Sequence, residues 1–424
     1  MHPLDTPGLW AETAPPAPPA TALAEALEVD IAIVGAGYTG LSAAIEAAGA
    51  GARVAVLEAA CIGAGGSGRN VGLVNAGLWL TPEALETRLA RHGGDSTLPA
   101  LLAQAPAAVW AMIEHHAIEC EARPVGTLHC APDRAGMDAL AERALQWRAR
   151  GAGVTLLDAA ATRARTGSAR FRGALFDPRA GTVQPLAYAR GLARVALASG
   201  ARIFTHSPVV GQRRAGGVWH LSTPGGTLRA PRVIWATNAY GQGPAGEPGK
   251  ALAVLPYFNF ATAPLPADLR ATILPGGEGA WDSARILTSF RLDAAGRFII
   301  GSVGALGGLD RAAHAAWARR QMARLYPQLK GQGFAHQWFG RIGITPDALP
   351  RLWQPGPDAF GLLGYNGRGI APGTVLGQRL ARAALGQEGA LPVLRPARAA
   401  PLRGARSLFI RSGAALWHLA DQRR

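Results

Sequence analysis

Residues 30–42 have the sequence Asp30-Ile-Ala-Ile-Val-Gly-Ala-Gly-Tyr-Thr-Gly-Leu-Ser42. An apolar run leads into three glycines, Gly35, Gly37 and Gly40, and small apolar residues then recur at helical spacing as far as Ala48. This order predicts a buried parallel strand, a tight turn and a helix. The first glycine permits the turn, the second lets a pyrophosphate approach the backbone, and the third lets helix and strand pack closely. The stretch therefore predicts a dinucleotide site in a βαβ unit.

A carboxylate follows at the expected distance. The second apolar strand, Arg53 to Leu57, ends in Glu58, eighteen residues after Gly40. A carboxylate at that strand end can accept hydrogen bonds from ribose hydroxyls. NAD and FAD share this arrangement, so the motif leaves the cofactor open. The glycine-dense loop that follows, residues 63–72, brings either backbone donors and Arg69 toward a cofactor or forms a solvent loop.

The rest of the pattern predicts an α/β and α+β organisation, in which the chain leaves a nucleotide-binding domain to build an antiparallel sheet and then returns. Helices are predicted at Pro82–Arg91, Leu98–His116, Asp133–Arg150, Leu186–Ser199, Ala312–Tyr326 and Thr374–Leu385, and a β-hairpin at Val218–Ser222 and Thr227–Ala230. The expected units are an extended Pro-rich N-terminal arm (1–28), a discontinuous nucleotide-binding domain (29–95, 150–245, 335–390), a substrate domain (96–149, 246–334) and a basic C-terminal tail (391–424).

Composition excludes several classes of protein. No apolar run approaches the ~18 residues of a membrane span, and residues 1–28 lack the charged and apolar regions of a signal peptide. Three irregularly spaced cysteines do not suggest a disulfide framework or a metal site. A cytoplasmic location is expected. The net charge of +15 comes from scattered arginines, and only Lys250 and Lys330 are lysines, so codon composition explains the bias as well as a partner does. Nucleic-acid binding is disfavoured because basic residues do not cluster with aromatics.

Six segments together resemble the D-amino-acid oxidase, sarcosine oxidase and glycine oxidase superfamily of FAD-dependent oxidoreductases, most of all its gamma-glutamylputrescine oxidase-like branch. They occur in the family's order at 30–42, 65–70, 183–192, 233–240, 338–347 and 364–370. The resemblance implies FAD rather than NAD, bound without a covalent bond, and a Rossmann-like FAD-binding domain of the GR2 type with an inserted antiparallel-sheet substrate domain. It also implies a set of cofactor-binding residues: Gly35, Gly37, Tyr38, Thr39, Gly40, Glu58, Ala59, Gly66, Ser67, Arg69, Asn70, Gly72, Val209, Ala236, Thr237, Asn238, Gly340, Tyr365, Asn366, Gly367, Arg368, Gly369 and Ile370.

A physical reason supports the last of these segments. Gly367 and Gly369 free the backbone just before the helix predicted from Thr374. The N-terminus of that helix would stabilise negative charge on a reduced flavin ring.

The same resemblance implies the chemistry: oxidation of the C–N bond of an amine or amino acid by hydride transfer to flavin N5, giving an imine that hydrolyses. Tyr257, Arg291 and Arg341 are the candidate catalytic residues, with Phe258, His336, Trp338 and Arg368 as further candidates for the substrate pocket. Oxygen or another acceptor would reoxidise the flavin.

Two alternatives stay open. One is a dehydrogenase that passes electrons to a quinone or protein partner, and the other is a flavoprotein acting on RNA. A lysine that sarcosine-oxidase-like members carry after the glycine-rich loop is missing from Gly369-Ile-Ala-Pro372. This departure puts an amino-acid substrate and fast oxygen use in doubt, and the sequence does not give the oligomeric state.

Overall fold

The computed structural model describes residues 8–91, 93–94, 96–241, 243, 248–284, 286–307 and 310–399, and the single residues 404, 407, 413 and 418. The helices are α1 (Leu9–Thr13), α2 (Tyr38–Gly49), α3 (Pro82–Ala90), α4 (Leu98–His115), α5 (Arg134–Ala149), α6 (Ala159–Thr166), α7 (Pro185–Ala198), α8 (Ala267–Ala271), α9 (Asp310–Leu325) and α10 (Ala371–Ala384). The strands are β1 (Ala26–Glu28), β2 (Ile31–Val34), β3 (Val54–Leu57), β4 (Leu73–Val74), β5 (Thr127–Ala131), β6 (Thr155–Leu157), β7 (Gly173–Asp177), β8 (Gly181–Thr182), β9 (Arg202–Phe204), β10 (Gly211–Ala215), β11 (Val218–Ser222), β12 (Thr227–Ala230), β13 (Arg232–Trp235), β14 (Ala253–Pro264), β15 (Gly279–Asp282), β16 (Thr288–Leu292), β17 (Arg297–Val303), β18 (His336–Ile344), β19 (Arg351–Trp353) and β20 (Ala359–Leu363). Within the described ranges, no helix combines the length and apolar character that crossing a membrane requires.

A six-stranded sheet in the order β19-β20-β13-β2-β3-β9 forms the centre of the first half of the molecule. Its neighbours are parallel except at β19 and β20. Ile31 and Ile33 pack against α2, α4, α7 and α10 on one face, whereas Ala32 and Val34 pack against the four-stranded sheet β1-β12-β11-β10 on the other. Since successive side chains of a strand point to opposite faces, covering both faces requires the uninterrupted apolar run seen in the sequence.

An eight-stranded sheet in the order β18-β14-β17-β16-β15-β5-β7-β6 forms the second half. Its neighbours are antiparallel except β15 and β5. One face is a phenylalanine-rich core, where Phe258, Phe290 and Phe298 pack with Trp317 of α9 and with Tyr326. Residues of the opposite face, which alternate with these, are available to a site.

The predicted helices lie within two residues of the observed ones, except that α10 begins at Ala371, three residues before the predicted Thr374, and the hairpin β11–β12 has the predicted bounds. The domain boundaries differ in three places. β6 and β7 (155–177) and β18 (336–344) belong to the eight-stranded sheet, although they were assigned to the FAD-binding domain. Conversely, the predicted substrate domain includes α4, but α4 packs on α10 in the core beside the six-stranded sheet. Local periodicity predicts an element's type, but the sheet that it joins is decided by pairing with distant strands.

The two ends of the chain also differ from expectation. Residues 15–20 form neither helix nor strand, as the prolines predict, but Leu9 and Trp10 lie in helix α1 and are fully buried. β1 then pairs in parallel with β12. In the tail, where four residues beyond 399 are described, His418 is buried and stacks on Trp317 with ring centroids 4.1 Å apart. Both ends therefore contribute to packing.

Candidate functional site

A cavity of about 1290 Å³ is lined by residues of both large sheets. It is larger than the ~300–1,000 Å³ of most small-molecule pockets. Its lining begins at the carboxyl ends of β2, β3 and β13, where parallel sheets bind ligands. It continues to Leu255, Tyr257 and Val303 of the eight-stranded sheet. The cavity can therefore hold a long ligand whose two ends meet different chemistry.

The glycine motif forms the first end. Gly35 has φ +108°, in the left-handed region that favours glycine. A Cβ at Gly37 would lie 2.8 Å from the Ser67 Oγ, and one at Gly40 would overlap the carbonyl oxygen of Gly35. Helix α2 begins directly after Gly37 without a side-chain cap. Its N-terminus can therefore bind an anion such as a pyrophosphate.

Glu58 lies at the adjacent strand end and is held by the backbone. Its Oε2 accepts a hydrogen bond from the Ala36 N–H (2.8 Å), and its Oε1 accepts one from the Ala60 N–H (3.0 Å). Burial raises the pKa of the Glu58 carboxyl, and these backbone bonds offset part of the rise. Both oxygens are thereby fixed in direction beside the cavity, with lone pairs left for a ribose.

The loop from Gly63 to Gly72, here called the flavin loop, is organised by Asn70. The Asn70 Nδ2 donates to the carbonyl oxygens of Gly66 (2.9 Å) and Ser67 (3.0 Å), and the Asn70 Oδ1 accepts from the Gly72 N–H (2.8 Å). The Tyr38 N–H donates to the Ser67 Oγ at 3.1 Å, which ties the loop to helix α2. The Asn70 side chain thus bonds within the loop itself and fixes the loop backbone beside the cavity.

The segment from Gly364 to Ile370 returns to the same cavity before α10 begins at Ala371. Tyr365 and Thr39 join their hydroxyls at 2.9 Å. Asn366, with φ +52°, accepts the Thr345 N–H at 2.8 Å through its Oδ1. These bonds attach the returning segment both to the glycine motif and to the end of β18.

Most residues that were expected to bind the cofactor line this single cavity. Gly40 and Gly72 are outside its lining, because Gly40 serves helix packing and Gly72 closes the loop against Val183. The others come together from seven separate stretches of chain: Gly35, Gly37, Tyr38, Thr39, Glu58, Ala59, Gly66, Ser67, Arg69, Asn70, Val209, Ala236, Thr237, Asn238, Gly340, Tyr365, Asn366, Gly367, Arg368, Gly369 and Ile370.

The far end of the cavity is a chamber with an aromatic and cationic wall. The Arg368 guanidinium lies over the Trp79 ring (4.8 Å to the centroid) and the Trp281 ring (5.4 Å). Its Nη1 donates to the Ala76 carbonyl oxygen at 2.8 Å, while its Nε is buried without a partner among the described residues. Burial, with nearby Arg143, lowers the pKa of Arg368 to about 9. An incompletely bonded buried cation of this kind favours an anionic ligand.

His129 stands in the same wall and stacks on Trp281, with centroids 5.1 Å apart, because β5 and β15 place the two residues side by side. Burial, together with Arg143 and Arg368, holds the pKa of His129 well below its ordinary value. His129 is therefore a neutral aromatic surface at physiological pH.

Asp282 and Tyr257 supply polar groups to the chamber. The Asp282 Oδ1 accepts backbone N–H bonds from Thr288 (3.0 Å) and Ala284 (3.2 Å). Burial raises the pKa of Asp282 to about 6 against the lowering effect of these bonds. The Tyr257 and Ser289 hydroxyls lie 2.7 Å apart. A carboxyl group that titrates near neutrality is thus present beside a fixed hydroxyl pair.

Arg341 lines the cavity next to the flavin loop. Its backbone N–H donates to the Tyr240 hydroxyl at 2.6 Å, which fixes this part of β18. Its half-buried side chain has no hydrogen bond or ion pair with any described residue. The guanidinium can therefore turn toward a ligand.

Arg291 is not brought to the cavity. It is 1% exposed, and its Nη1 lies 2.7 Å from the Val183 carbonyl oxygen and 3.3 Å from those of Val71 and Gly72. Three carbonyls account for this cation, so it holds the end of the flavin loop instead of a substrate.

The other pocket candidates are also placed elsewhere. Phe258 and Trp338 are fully buried in apolar clusters. His336 lies 3.4 Å from the Glu12 carboxylate, between Nδ1 and Oε1.

Sequence reasoning missed Trp79, His129, Trp281, Asp282 and Ser289. They come from strands and loops up to about 200 residues apart in the chain. The one local signal was the pair Trp281-Asp282, an aromatic residue beside an acid at the end of a strand.

Comparison with known proteins agrees with this geometry. A family model described as FAD dependent oxidoreductase matches residues 30–383. The chain belongs to the FAD-dependent oxidoreductases. Two relatives are 30% identical: a probable oxidoreductase OrdL of Rhizobium meliloti, over 87% of this chain and 86% of that protein, and gamma-glutamylputrescine oxidoreductase of Escherichia coli, over 95% of each.

Solved structures agree on the fold of this FAD-dependent oxidoreductase. Glycine oxidase of Geobacillus kaustophilus superposes with a TM-score of 0.69 at 22% identity, covering 86% of this chain and 96% of that one. An L-amino acid deaminase of Proteus myxofaciens superposes with a TM-score of 0.70 at 17% identity, covering 89% and 94%. The predicted family, fold class, enzymatic nature and FAD dependence are thereby confirmed.

Proposed function

We propose that this FAD-dependent oxidoreductase oxidises the C–N bond of an amine or amino acid. The observation that carries the proposal is the single cavity, which joins the glycine motif to a chamber lined by cations, a carboxyl group and aromatic rings. The names of the relatives support the same compound class, since they specify gamma-glutamylputrescine and glycine.

The residues present fit FAD. A Cβ at Gly35 would press on the Ala236 carbonyl oxygen (3.0 Å) and one at Gly37 on the Ser67 Oγ (2.8 Å), so glycine lets these segments close around the N-terminus of α2. That N-terminus has no side-chain cap from Gly37 and lines the cavity, where it can bind a pyrophosphate. Glu58 would hold the adenosine ribose, and the flavin loop and residues 365–370 would hold the ring, with no covalent bond expected. When bound, FAD supplies a hydride acceptor at N5: the α C–H bond breaks, the nitrogen lone pair forms C=N, and the imine hydrolyses in water.

The protein must bind and orient the amine and take its ammonium proton. Arg341 and Arg368 are proposed to hold an acidic group of the substrate, since each guanidinium has unused donors. Trp79 and Trp281 would cover its carbon chain. Asp282, largely deprotonated at pH 7 with a pKa of about 6, is the proposed proton acceptor.

The test is anaerobic mixing of the purified yellow protein with a panel of amines and amino acids, in pairs that differ by one carboxylate. Bleaching of the flavin absorbance identifies substrates. Arg368→Met and Arg341→Met should raise KM for the carboxylate-bearing member of a pair by about 10-fold or more, and leave its partner nearly unchanged. A protein with full FAD that no compound bleaches would overturn the proposal.

Reoxidation is tested in air on the same substrates. Stoichiometric oxygen uptake with peroxide identifies an oxidase, whereas bleaching that only a quinone or a protein acceptor reverses identifies a dehydrogenase. Cytoplasmic location stays a prediction.

A further inference from the structure

Two tryptophans donate their indole N–H groups to consecutive carbonyls of the flavin loop. The Trp10 Nε1 lies 2.9 Å from the Asn70 carbonyl oxygen, and the Trp338 Nε1 lies 3.0 Å from that of Arg69. The two rings meet edge to face with centroids 5.5 Å apart, and neither residue is exposed. Trp338 belongs to β18, whereas Trp10 belongs to helix α1, which precedes the first strand of both large sheets in the chain.

Helix α1 is held in place by several independent contacts. The Gln184 Nε2 donates to the Trp10 carbonyl oxygen and to the Thr13 Oγ1, each at 3.1 Å. The Arg190 Nη1 donates to the Pro15 carbonyl oxygen at 2.8 Å. Gly8 approaches Trp338 so closely that a Cβ there would lie 2.7 Å from the Trp338 Cγ. These contacts define the position of the Trp10 ring.

The flavin loop needs such support. Five of its ten residues, Gly63, Gly65, Gly66, Gly68 and Gly72, are glycines, which lose more conformational freedom on ordering than other residues. The Asn70 side chain makes three bonds within the loop, to Gly66, Ser67 and Gly72, beside the Arg69 Nε bond to the Ala64 carbonyl and short backbone turns. A fixed Asn70 backbone therefore aims the side chain that joins the two ends of the loop. Trp10 donates to the carbonyl oxygen of Asn70 itself, so its bond holds the peptide group next to the Asn70 side chain.

We infer that Trp10 is a positioning residue for FAD, acting through Asn70, and that the N-terminal segment thereby sets cofactor affinity and the environment of the flavin ring. The inference depends on FAD binding and is independent of which amine is oxidised. Trp10 and Trp338 act together, because each holds one of two adjacent peptide groups and each ring packs on the other.

The test compares Trp10→Phe with Trp219→Phe. Both changes keep an aromatic ring and remove one indole N–H bond to a backbone carbonyl, since the Trp219 Nε1 donates to the Pro357 carbonyl oxygen at 3.0 Å, outside the cavity lining. Leaving the Asn70 carbonyl unpaired should weaken FAD binding about 5- to 20-fold. The visible flavin spectrum and the midpoint potential, measured at saturating FAD, should shift in Trp10→Phe only.

Wild-type FAD affinity and spectrum in folded Trp10→Phe would overturn the inference. An equal loss of affinity in Trp219→Phe would do the same, because it would reveal general destabilisation. Should Trp10→Phe fail to fold, Trp338→Phe carries the measurement on the adjacent Arg69 carbonyl, which then keeps only the longer bond from the Asn259 Nδ2 (3.3 Å). Loss of affinity with the spectral shift supports the positioning role, and wild-type behaviour refutes it.

Discussion

Glu58→Gln is the most direct test of the ribose end of the cavity. The wild-type carboxylate accepts one backbone N–H on each oxygen, from Ala36 at 2.8 Å and Ala60 at 3.0 Å. A glutamine of the same shape keeps one of these acceptors. Its NH₂ group then faces the other backbone N–H, so one buried donor loses its partner and the side chain loses its charge.

The expected loss follows from these bonds. A hydrogen bond to a charged group contributes about 1.5–3 kcal/mol and a neutral one about 0.5–1.5 kcal/mol. A ribose hydroxyl bound to the amide instead of the carboxylate therefore loses about 1–2 kcal/mol, to which misdirection of the side chain adds about 1 kcal/mol. Since about 1.4 kcal/mol is a factor of ten in affinity, the dissociation constant of FAD should rise roughly 30- to 100-fold.

Titration of the apoprotein with FAD, followed by flavin fluorescence, measures this change. Glu28→Gln is the matched control, because the Glu28 Oε1 pairs with the Arg229 Nη1 at 2.9 Å on the surface, where Glu28 is 68% exposed. The control should bind FAD like the wild type. A dissociation constant within twofold of wild type in Glu58→Gln would refute the assignment of Glu58 to the ribose.

Three further predictions concern single positions. Gly40→Ala should abolish FAD binding and lower yield, measured by bound flavin per protein, because its Cβ would overlap the Gly35 carbonyl oxygen; a fully yellow variant would contradict this. Arg291→Lys should lower Tm without changing KM, since one ammonium nitrogen cannot replace both the Nη1 bonds to Val71, Gly72 and Val183 and the Nε bond to the Leu292 carbonyl; a raised KM at unchanged Tm would restore a substrate role. The Asp282 carboxyl has a pKa of about 6 in the folded state and near 3.8 in the unfolded state. Between these pH values the folded state binds the proton more tightly, so the contribution of Asp282 to stability falls as the pH rises through them. Asp282→Asn should therefore gain Tm over wild type at pH 7.5 and lose that gain at pH 4, whereas a constant difference would show that Asp282 does not titrate there.

Much of the fold could be predicted because the decisive signals are local. The run from Ile31 to Val34 is buried on both faces, and the three glycines after it have one geometric reason each. Helices α4 and α7 follow their periodicity within one residue. Sheet membership was less predictable, since β18 joins β14 through pairing that no local pattern encodes. Short helices such as α6 and α8 were missed because they offer too few turns to show a period.

The site divides in the same way. The dinucleotide end depends on backbone shape, which glycines reveal, whereas the chamber depends on side chains that only the fold assembles. His129 and Trp281 stack because β5 and β15 are neighbours, although about 150 residues separate them in the chain. Trp10 lies in a stretch that its following prolines made look like a surface arm. The charge of Arg291 suggests a substrate-binding role from the sequence alone, but in the structure its guanidinium bonds backbone carbonyls.

The arginine bias itself has a structural component. The sequence has two lysines among 43 basic residues, a ratio that codon composition explains at most positions. Yet residues 71–80, which begin at the end of the flavin loop, have carbonyls bonded by three arginines, of which Arg291 and Arg368 are buried and Arg143 is half-buried. Arg291 bonds Val71 and Gly72, Arg368 bonds Ala76, and Arg143 bonds Trp79 and Leu80. A guanidinium is planar, weakly hydrated and rich in donors, so it can bond several carbonyls and lie on an indole while buried, whereas an ammonium would have to shed tightly bound water. At these three positions arginine therefore has a structural reason, the support of backbone carbonyls in residues 71–80, whatever the origin of the bias elsewhere.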